Sequence, residues 1–544
     1  MHNTMKKWVR LMLVLTLNLT IVAYPLPGIS YVAPQSFALS KLDAKGQDAK
    51  LTAPPRFDQS EVSEIMWAME GSAYMAADDY PRSDYRFDHL LDALDYEPAA
   101  AFEFVRDKIR FDPYRGVLRN AEGALGGRAG NAYDRSLLLV KLLEDMGIEA
   151  RLAFGELDEE NAGKLLQRAL GPGNETLNMK SLSNFSGFVP EIQQRMLDRA
   201  TRDYKWVTRG LGKVSGDARA TVVGTGAVKS HVWVQAKTGN TWQDMDSAFP
   251  DAEIGDSFAK VSRYATEVEP DQQHVVQIAV IAETVEENGL LERKVLEHEI
   301  TAEDAMDSRL YVTFVPRNPT MGGVLAEKLG PEREMMPVLL VDGKAVSGKR
   351  IPGIAGDMSA SKSFFYGSSR DKLSGLYVDV RVGPKADLGQ SARGILLDRV
   401  PPEQRRSKAV NTDDLRPMSF ADERPVELNG IHQVLVSNGG SNPRDVIENV
   451  GLAYYFIGKY MAAEGAEEDL PFESMLWPTA MFRNAQLAYN ENLLISALND
   501  KSDARFFISE PRVYIMSQTV RPQGDDFNVA MSVDLLHDPI AVVA

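Results

Sequence analysis

The sequence predicts an α+β protein in which a mixed domain is followed by a β-rich domain and a mixed α+β C-terminal region. A nearly continuous apolar stretch at residues 131–146 predicts a buried helix, and an alternating pattern at residues 231–245 predicts a β-hairpin. Beyond Glu267, short apolar runs are separated by Gly, Pro and Asn, as is typical of strands joined by turns. The length of 544 residues suits roughly two to four domains.

The composition indicates a folded protein and excludes several kinds of chemistry. Hydrophobic residues make up 44% and charged residues 25% of the chain. The net charge of −17 disfavours phosphate backbones, so we expect no nucleic-acid partner. The chain has no cysteine, which excludes disulfides, thiolate metal ligands and thiol nucleophiles. No two of its seven histidines are spaced as a local metal motif, and we predict neither a metal nor another cofactor.

The N-terminus has the pattern of an export signal. Basic residues within positions 5–10 precede an uncharged, mostly apolar stretch at 11–24, and Ala38-Leu39-Ser40 offers a small-x-small cleavage site. We predict a signal peptide at residues 1–40 and a periplasmic or secreted protein. An uncleaved anchor is the alternative, because the uncharged run extends to Ala33. No later stretch reaches the ~18–20 apolar residues of a membrane span, so none is expected after signal removal.

A linker and a short helix are predicted at residues 41–85. The helix is expected at residues 59–75, with Gly71 and the Asp-Asp-Tyr-Pro sequence after it ending regular structure. A second helix is predicted at residues 98–109, where apolar residues recur on one face.

The helix at residues 131–146 is apolar nearly all round, which is typical of a buried helix. Gly147 is expected to end it, and a short strand is predicted at residues 148–154. The region 158–225 is rich in Gly, Asn and Ser, like an insertion over a site, with helical pieces at 162–170 and 191–204.

The rest of the chain divides into a β-rich domain at residues 266–400 and a mixed α+β region at 401–544. Strands of the first are predicted at residues 275–282, 310–315, 337–341 and 375–382. The second is predicted to contain helices at 443–463 and 476–498 and strands at 505–508, 512–517 and 528–535.

Three segments, in order, resemble bacterial transglutaminase-like domains. Gly130, Asp134 and Leu138 are similar to a Gly-x-Cys-x-Asp-x-x-x-Leu core at the start of a buried helix, and residues 146–151 resemble the Leu-Gly-Ile-Pro-Ala-Arg sequence that follows it. The segment His-Val-Trp-Val at 231–234 is similar to a His-Ala-Trp-Val strand, and Trp-Gln-Asp-Met-Asp at 242–246 to a Trp-x-x-x-Asp strand. The resemblance covers about residues 86–265 and implies a transglutaminase-like, papain-like domain there.

The resemblance also implies a site with an altered nucleophile. His231 would be the base and Asp246 the acid that orients it. The nucleophile position falls on Ala132, so cysteine-dependent transglutaminase or protease chemistry is excluded and the His–Asp pair is interpreted as a relic dyad. Candidate binding residues are Trp233, Trp242, Asp134 and Asp244. For these residues, packing, helix-start and turn roles are the commoner alternatives.

Two serines near the dyad are candidate substitute nucleophiles. Ser136 lies one helical turn after Ala132, beside the apolar run, so a capping or packing role is expected. Ser230 precedes His231 on the same strand and should face away from it.

Three functions follow from these observations. The favoured one is a non-catalytic binding or scaffolding protein of the cell envelope, with a peptide, protein or glycan partner. The alternative is a hydrolase on the same fold, using Asp134, His231, Asp244 or Asp246 as acid–base groups on an envelope polysaccharide or peptide. In the third, the domain only supports a function of residues 401–544. No nucleophile-elbow, Walker-type or dinucleotide motif indicates another enzyme class.

Overall fold

The computed structural model describes residues 59–171, 221–287, 289–316, 335–349, 351, 372–407, 410–416, 420–421, 424–425, 430–462, 491, 495, 499, 503–523 and 526–543. The predicted signal peptide, the predicted helix at 191–204 and most of the predicted helix at 476–498 lie outside these residues. Within the described ranges, no helix is both long enough and apolar enough to cross a membrane.

Four helices come first along the chain: α1 (Gln59–Ala77), α2 (Arg82–Tyr85), α3 (Phe87–Ala93) and α4 (Pro98–Lys108). The helix predicted at residues 59–75 is confirmed, but α1 runs through Gly71 and ends at Ala77. Its alanines pack with Ile447 of a distant helix, Pro443–Ala462. The free energy gained by burying this helix face outweighs the ~1 kcal/mol that an interior glycine costs a helix. The local sequence does not show this burial, because it depends on a distant helix.

The predicted buried helix is present as α6. The elements of this part are β1 (Arg110–Phe111), α5 (Asn120–Gly126), β2 (Ala129–Gly130) and α6 (Ala132–Asp145). Asn131 caps α6, because its side-chain oxygen accepts the backbone N–H of Asp134 at 2.8 Å. Gly147 follows the helix with φ +80°, the left-handed conformation that glycine adopts most easily.

A four-stranded antiparallel sheet packs on α6. Its order is β6-β5-β3-β7. The elements are β3 (Ala150–Glu156), α7 (Glu159–Arg168), β4 (Thr221–Val222), β5 (Ser230–Thr238), β6 (Thr241–Met245) and β7 (Lys260–Ala265), with β4 belonging to another sheet. The predicted hairpin is confirmed as β5–β6. Val232 and Val234 belong to the same core as Leu138, Leu139 and Leu142 of α6.

Two larger sheets follow. The elements are β8 (His274–Glu286), β9 (Gly289–Thr301), α8 (Ala302–Asp307), β10 (Leu310–Pro316), β11 (Met335–Val341), β12 (Lys344–Ser347), β13 (Leu373–Pro384), β14 (Ala392–Asp398), α9 (Pro402–Ser407), β15 (Phe420–Ala421), β16 (Arg424–Pro425), β17 (Ile431–Ser437), α10 (Pro443–Ala462), β18 (Arg505–Ile508), β19 (Arg512–Gln523), β20 (Asp526–His537) and β21 (Ile540–Val543). One sheet has the order β14-β13-β8-β9, and the other has the order β12-β11-β10-β17-β19-β20. The α+β class with a sheet-rich region after the first domain is therefore confirmed.

The C-terminal strands complete the core around α6. In the small sheet β18-β21-β4, strand β21 pairs with β18 and with β4. Phe507, Ala541 and Val543 are buried in the cluster that contains the α6 leucines. The first domain and the end of the chain thus share one hydrophobic core.

A polar contact also joins α5 to the segment after β17. The Nδ2 of Asn438 donates to the Leu118 carbonyl at 3.1 Å, and the Arg119 Nε donates to the Asn438 carbonyl at 3.1 Å. The backbones approach so closely that a Cβ on Gly126 would lie 2.5 Å from the Gly440 carbonyl oxygen. Only glycine fits there without a backbone shift.

We expect Gly126→Ala to lower the free energy of unfolding by roughly 2–3 kcal/mol, since the added Cβ overpacks against backbone atoms. Gly163→Ala in α7 is the matched control, because a Cβ there has no atom within 4 Å. It should stabilise the protein by about 0.5–1 kcal/mol through helix propensity. Urea denaturation measures both values, and a Gly126→Ala protein as stable as the unaltered one would contradict the close packing.

Candidate functional site

The end of the β5–β6 hairpin brings His231 and Asp246 together. The His231 Nε2 lies 2.7 Å from the Asp246 Oδ2, and both side chains are 0% exposed. The Asp246 carboxylate also accepts the backbone N–H groups of Ala248 at 3.2 Å and Phe258 at 3.4 Å. Because a carboxylate only accepts hydrogen bonds, His231 is held with its proton on Nε2.

The other ring nitrogen of His231, Nδ1, is buried and has no hydrogen-bond partner among the described residues. The ring stacks on Trp233 and meets Phe249 edge-on, with centroid separations of 5.8 Å in both cases. In a catalytic triad, the nitrogen opposite the orienting acid takes the proton of the nucleophile. Here that nitrogen accepts no hydrogen bond from any residue that the structure describes.

Ala132 is the first residue of α6 and is 8% exposed. One turn later, the Ser136 hydroxyl donates to the Val232 carbonyl at 3.1 Å, so the start of the helix packs on the strand that carries His231. The methyl group of Ala132 has no proton or lone pair and cannot attack a substrate. Ser136 has the packing contact expected from the sequence, and Ser230 is exposed whereas His231 is buried.

Asp134 forms hydrogen bonds that hold residues 114–120 against the start of α6. Its Oδ2 accepts the Tyr114 hydroxyl at 2.6 Å and the backbone N–H groups of Leu118 and Arg119 at 3.3 and 3.0 Å. Its Oδ1 accepts the Asn120 N–H at 3.0 Å. Burial raises the pKa of the Asp134 carboxyl, although the bonds from Tyr114 and Arg119 oppose that rise. All four of these hydrogen-bond donors belong to the protein itself. A role of Asp134 in binding a ligand stays a prediction.

Asp244 bonds to the strand next to it. Its Oδ1 accepts the Trp233 Nε1–H and the Gln235 side-chain amide, each at 2.7 Å. Asp244 and Asp246 therefore have separate partners along β5. Within the described ranges, no three His, Asp or Glu side chains are grouped so that they could hold a metal ion.

The two candidate tryptophans have different surroundings. Trp233 is completely buried, whereas Trp242 is half-buried and the Arg151 guanidinium lies 4.0 Å from its ring centroid. Tyr264 contacts the same guanidinium at 3.7 Å, so this arginine packs against both rings. Binding by Trp233 or Trp242 stays a prediction.

Two arginines close to the dyad were not singled out from the sequence. The Arg135 Nη2 donates to the carbonyls of Val105 and Ser247, each at 2.7 Å, and Arg168 donates to the Ser247 carbonyl at 3.1 Å. Both therefore hold the residue that follows Asp246. The sequence signal for Arg135 was its position inside the apolar helix predicted at residues 131–146, because an arginine is seldom fully buried unless it is paired.

A comparison with protein-family models identifies this part of the chain. Residues 91–247 match the transglutaminase-like superfamily, a segment that runs from α3 to the residue after Asp246 and is less than a third of the chain. No curated protein and no solved structure matches the chain. The match confirms the resemblance carried by Gly130, Asp134 and the His231 and Asp246 strands. Residues 91–247 are therefore a transglutaminase-like domain, in a chain that has no cysteine.

Proposed function

We propose that the protein is a non-catalytic binding or scaffolding protein built on its transglutaminase-like domain. The observation that carries this proposal is Ala132 at the position of the nucleophile. A helix N-terminus lowers the pKa of a thiol and so activates it, but a methyl group has nothing to activate. No cysteine elsewhere in the chain can replace it.

The buried His231–Asp246 pair has a structural role in this proposal. Asp246 joins the segment after β6 to His231 and to the Phe258 backbone. Removing one partner would leave the other buried and unpaired, which is costly even where no chemistry is performed. In this proposal the pair contributes to the stability of the fold and takes part in no reaction.

The shared core supports a scaffolding role. Phe507, Ala541 and Val543 pack with the α6 leucines, so the domain supports the C-terminal strands. The export-signal pattern of residues 1–40 favours a place in the cell envelope, periplasmic or secreted, with a peptide, protein or glycan as partner. The hydrolase alternative has less support, since Asp134, Asp244 and Asp246 all accept hydrogen bonds from the protein.

The direct test is turnover of a fluorescent primary amine and a glutamine-containing peptide by the purified protein. We expect no amine incorporation above the protein-free rate, because no thiolate is present to form an acyl-enzyme. Incorporation that disappears in His231→Ala and Asp246→Ala proteins of verified fold would overturn the proposal.

A polysaccharide panel, followed by release of reducing ends, tests the hydrolase alternative separately. Release that is lost in a folded Asp244→Asn protein would favour the hydrolase. Ala132→Cys is the positive control for the architecture, since it creates the single thiol of the chain. Iodoacetamide labelling at that thiol reports directly whether the helix start admits a small electrophile.

A further inference from the structure

Two guanidinium groups meet between α4, α6 and the segment after β6. The Arg135 Nη2 donates to the Arg106 carbonyl at 3.2 Å and to the Ser247 carbonyl at 2.7 Å. Arg168 donates from Nη1 to the Ser247 carbonyl at 3.1 Å and from Nη2 to the Arg106 carbonyl. Two positive charges therefore converge on the same two carbonyl oxygens.

Among the residues that the structure describes, no carboxylate forms an ion pair with Arg135 or Arg168. The acids that act on both arginines are Asp107 and Asp246. Asp107 pairs with Arg106 at 2.8 Å, and Asp246 pairs with His231 at 2.7 Å. Carbonyl dipoles at the C-terminal end of α4 offset only part of two full charges.

Arg135 also has unused donors. Its side chain is 0% exposed, and its Nε and Nη1 have no hydrogen-bond partner in the described part of the chain. Burial, followed by the neighbouring Arg168, pushes the pKa of the Arg135 guanidinium well below its usual range. Burial likewise lowers the pKa of Arg168 to about 10. Both shifts have the same physical origin, which is positive charge held away from water without a carboxylate.

We propose that Arg135 and Arg168 form a buried binding site for a small monovalent anion of the halide class. Such an ion would accept hydrogen bonds from the unused Arg135 nitrogens and would supply the missing negative charge. The nitrogens are closed off from solvent, which favours a monatomic ion over a carboxylate or a phosphate. A water molecule would satisfy the N–H groups but not the charge, and the test below separates the two.

The site is independent of the proposed function, because it needs neither a partner nor the loss of the nucleophile. It would join the end of α4, the first turns of α6 and the Ser247 backbone. An occupied site would therefore stabilise the segment that holds Asp246 against His231.

Thermal unfolding of the whole protein at constant ionic strength tests the proposal, with chloride replaced stepwise by gluconate, a much larger polyatomic anion. Binding to the folded state should raise Tm with chloride in a saturable manner, by roughly 2–4 °C, and bromide should replace chloride. Equal Tm values in chloride and gluconate would overturn the proposal and leave water as the occupant.

Two variants and a control make the result specific. Arg135→Met and Arg168→Met should fold, since an apolar side chain often replaces a buried charge at little cost, and both should lose the chloride dependence. If Arg135→Met does not fold, Arg168→Met decides alone. Arg263→Met, which removes an exposed ion pair with Glu269, should keep the full shift. An undiminished shift in the Arg168→Met protein would contradict the site, as would a bromide-soaked crystal without an anomalous peak beside Arg135.

Discussion

Arg119→Met is expected to lower the free energy of unfolding by roughly 3–5 kcal/mol, because it removes one partner of a buried ion pair and leaves the other partner buried. The Arg119 Nη1 lies 2.9 Å from the Asp112 Oδ2, with the side chains 2% and 0% exposed. The same guanidinium donates to the Asn438 carbonyl and lies over the Tyr114 ring at 5.3 Å. The substitution therefore removes a charge partner and the bond that joins the domain to the C-terminal region.

Asp112 explains most of the expected loss. Burial alone would raise the pKa of the Asp112 carboxyl, but Arg110 and Arg119 outweigh burial and hold that pKa well below its usual range. Without Arg119, the charged carboxylate keeps Arg110 as its one charged partner among the described residues, at 2.8 Å. Adding Asp112→Asn to Arg119→Met should recover part of the stability, since the unpaired charge is then absent.

Chemical denaturation followed by circular dichroism measures this loss. Lys141→Met is the control, because Lys141 and Asp145 form a half-exposed pair one helical turn apart. That pair contributes about 0.5 kcal/mol or less. An Arg119→Met protein within about 1 kcal/mol of the unaltered protein would show that the buried pair is not a main support of the fold.

Asp246→Ala is expected to lower the free energy of unfolding by roughly 2–4 kcal/mol. His231 would then be buried with neither ring nitrogen bonded, because Nδ1 already lacks a partner. The backbone N–H groups of Ala248 and Phe258 would lose their acceptor as well. One substitution therefore removes the acceptor of three hydrogen-bond donors.

A double variant distinguishes the loss of the His231–Asp246 contact from a loss of packing that is unrelated to this contact. His231→Leu with Asp246→Leu removes both polar groups, and its cost should be smaller than the sum of the single changes. Asp251→Ala, at an exposed position four residues after Ser247, should stay within about 0.5 kcal/mol of the unaltered protein. Strict additivity in the double variant would mean that the His231–Asp246 contact contributes nothing to stability.

The local elements were predictable because their signals are local. The helix at 131–146 has continuous apolar periodicity and a terminating Gly147, and α6 ends within a residue or two of that prediction. The β5–β6 hairpin has alternating residues around a Gly239 turn with φ +63°. Strand β7 was missed, since most of its residues are exposed and it lacks a clear two-residue alternation.

Long-range pairing was not predictable from one sequence. Strands β10 and β17 are neighbours in the six-stranded sheet, although the predicted division at residue 400 lies between them. The end of the chain contributes β21 to the sheet that contains β4. Hydrogen bonds between distant strands depend on the whole fold, whereas periodicity reports only on a few neighbouring residues.

The sequence by itself determined that this protein, with its transglutaminase-like domain at residues 91–247, has no thiol, since composition alone decides which reactive atoms a chain possesses. It also indicated Ala132, His231 and Asp246 through an ordered set of motifs. Only the tertiary structure decided that His231 and Asp246 are in contact and completely buried, and that Arg135 and Arg168 share carbonyl oxygens near them. Burial and charge interaction are set by neighbours in space, and these neighbours are brought together only by folding.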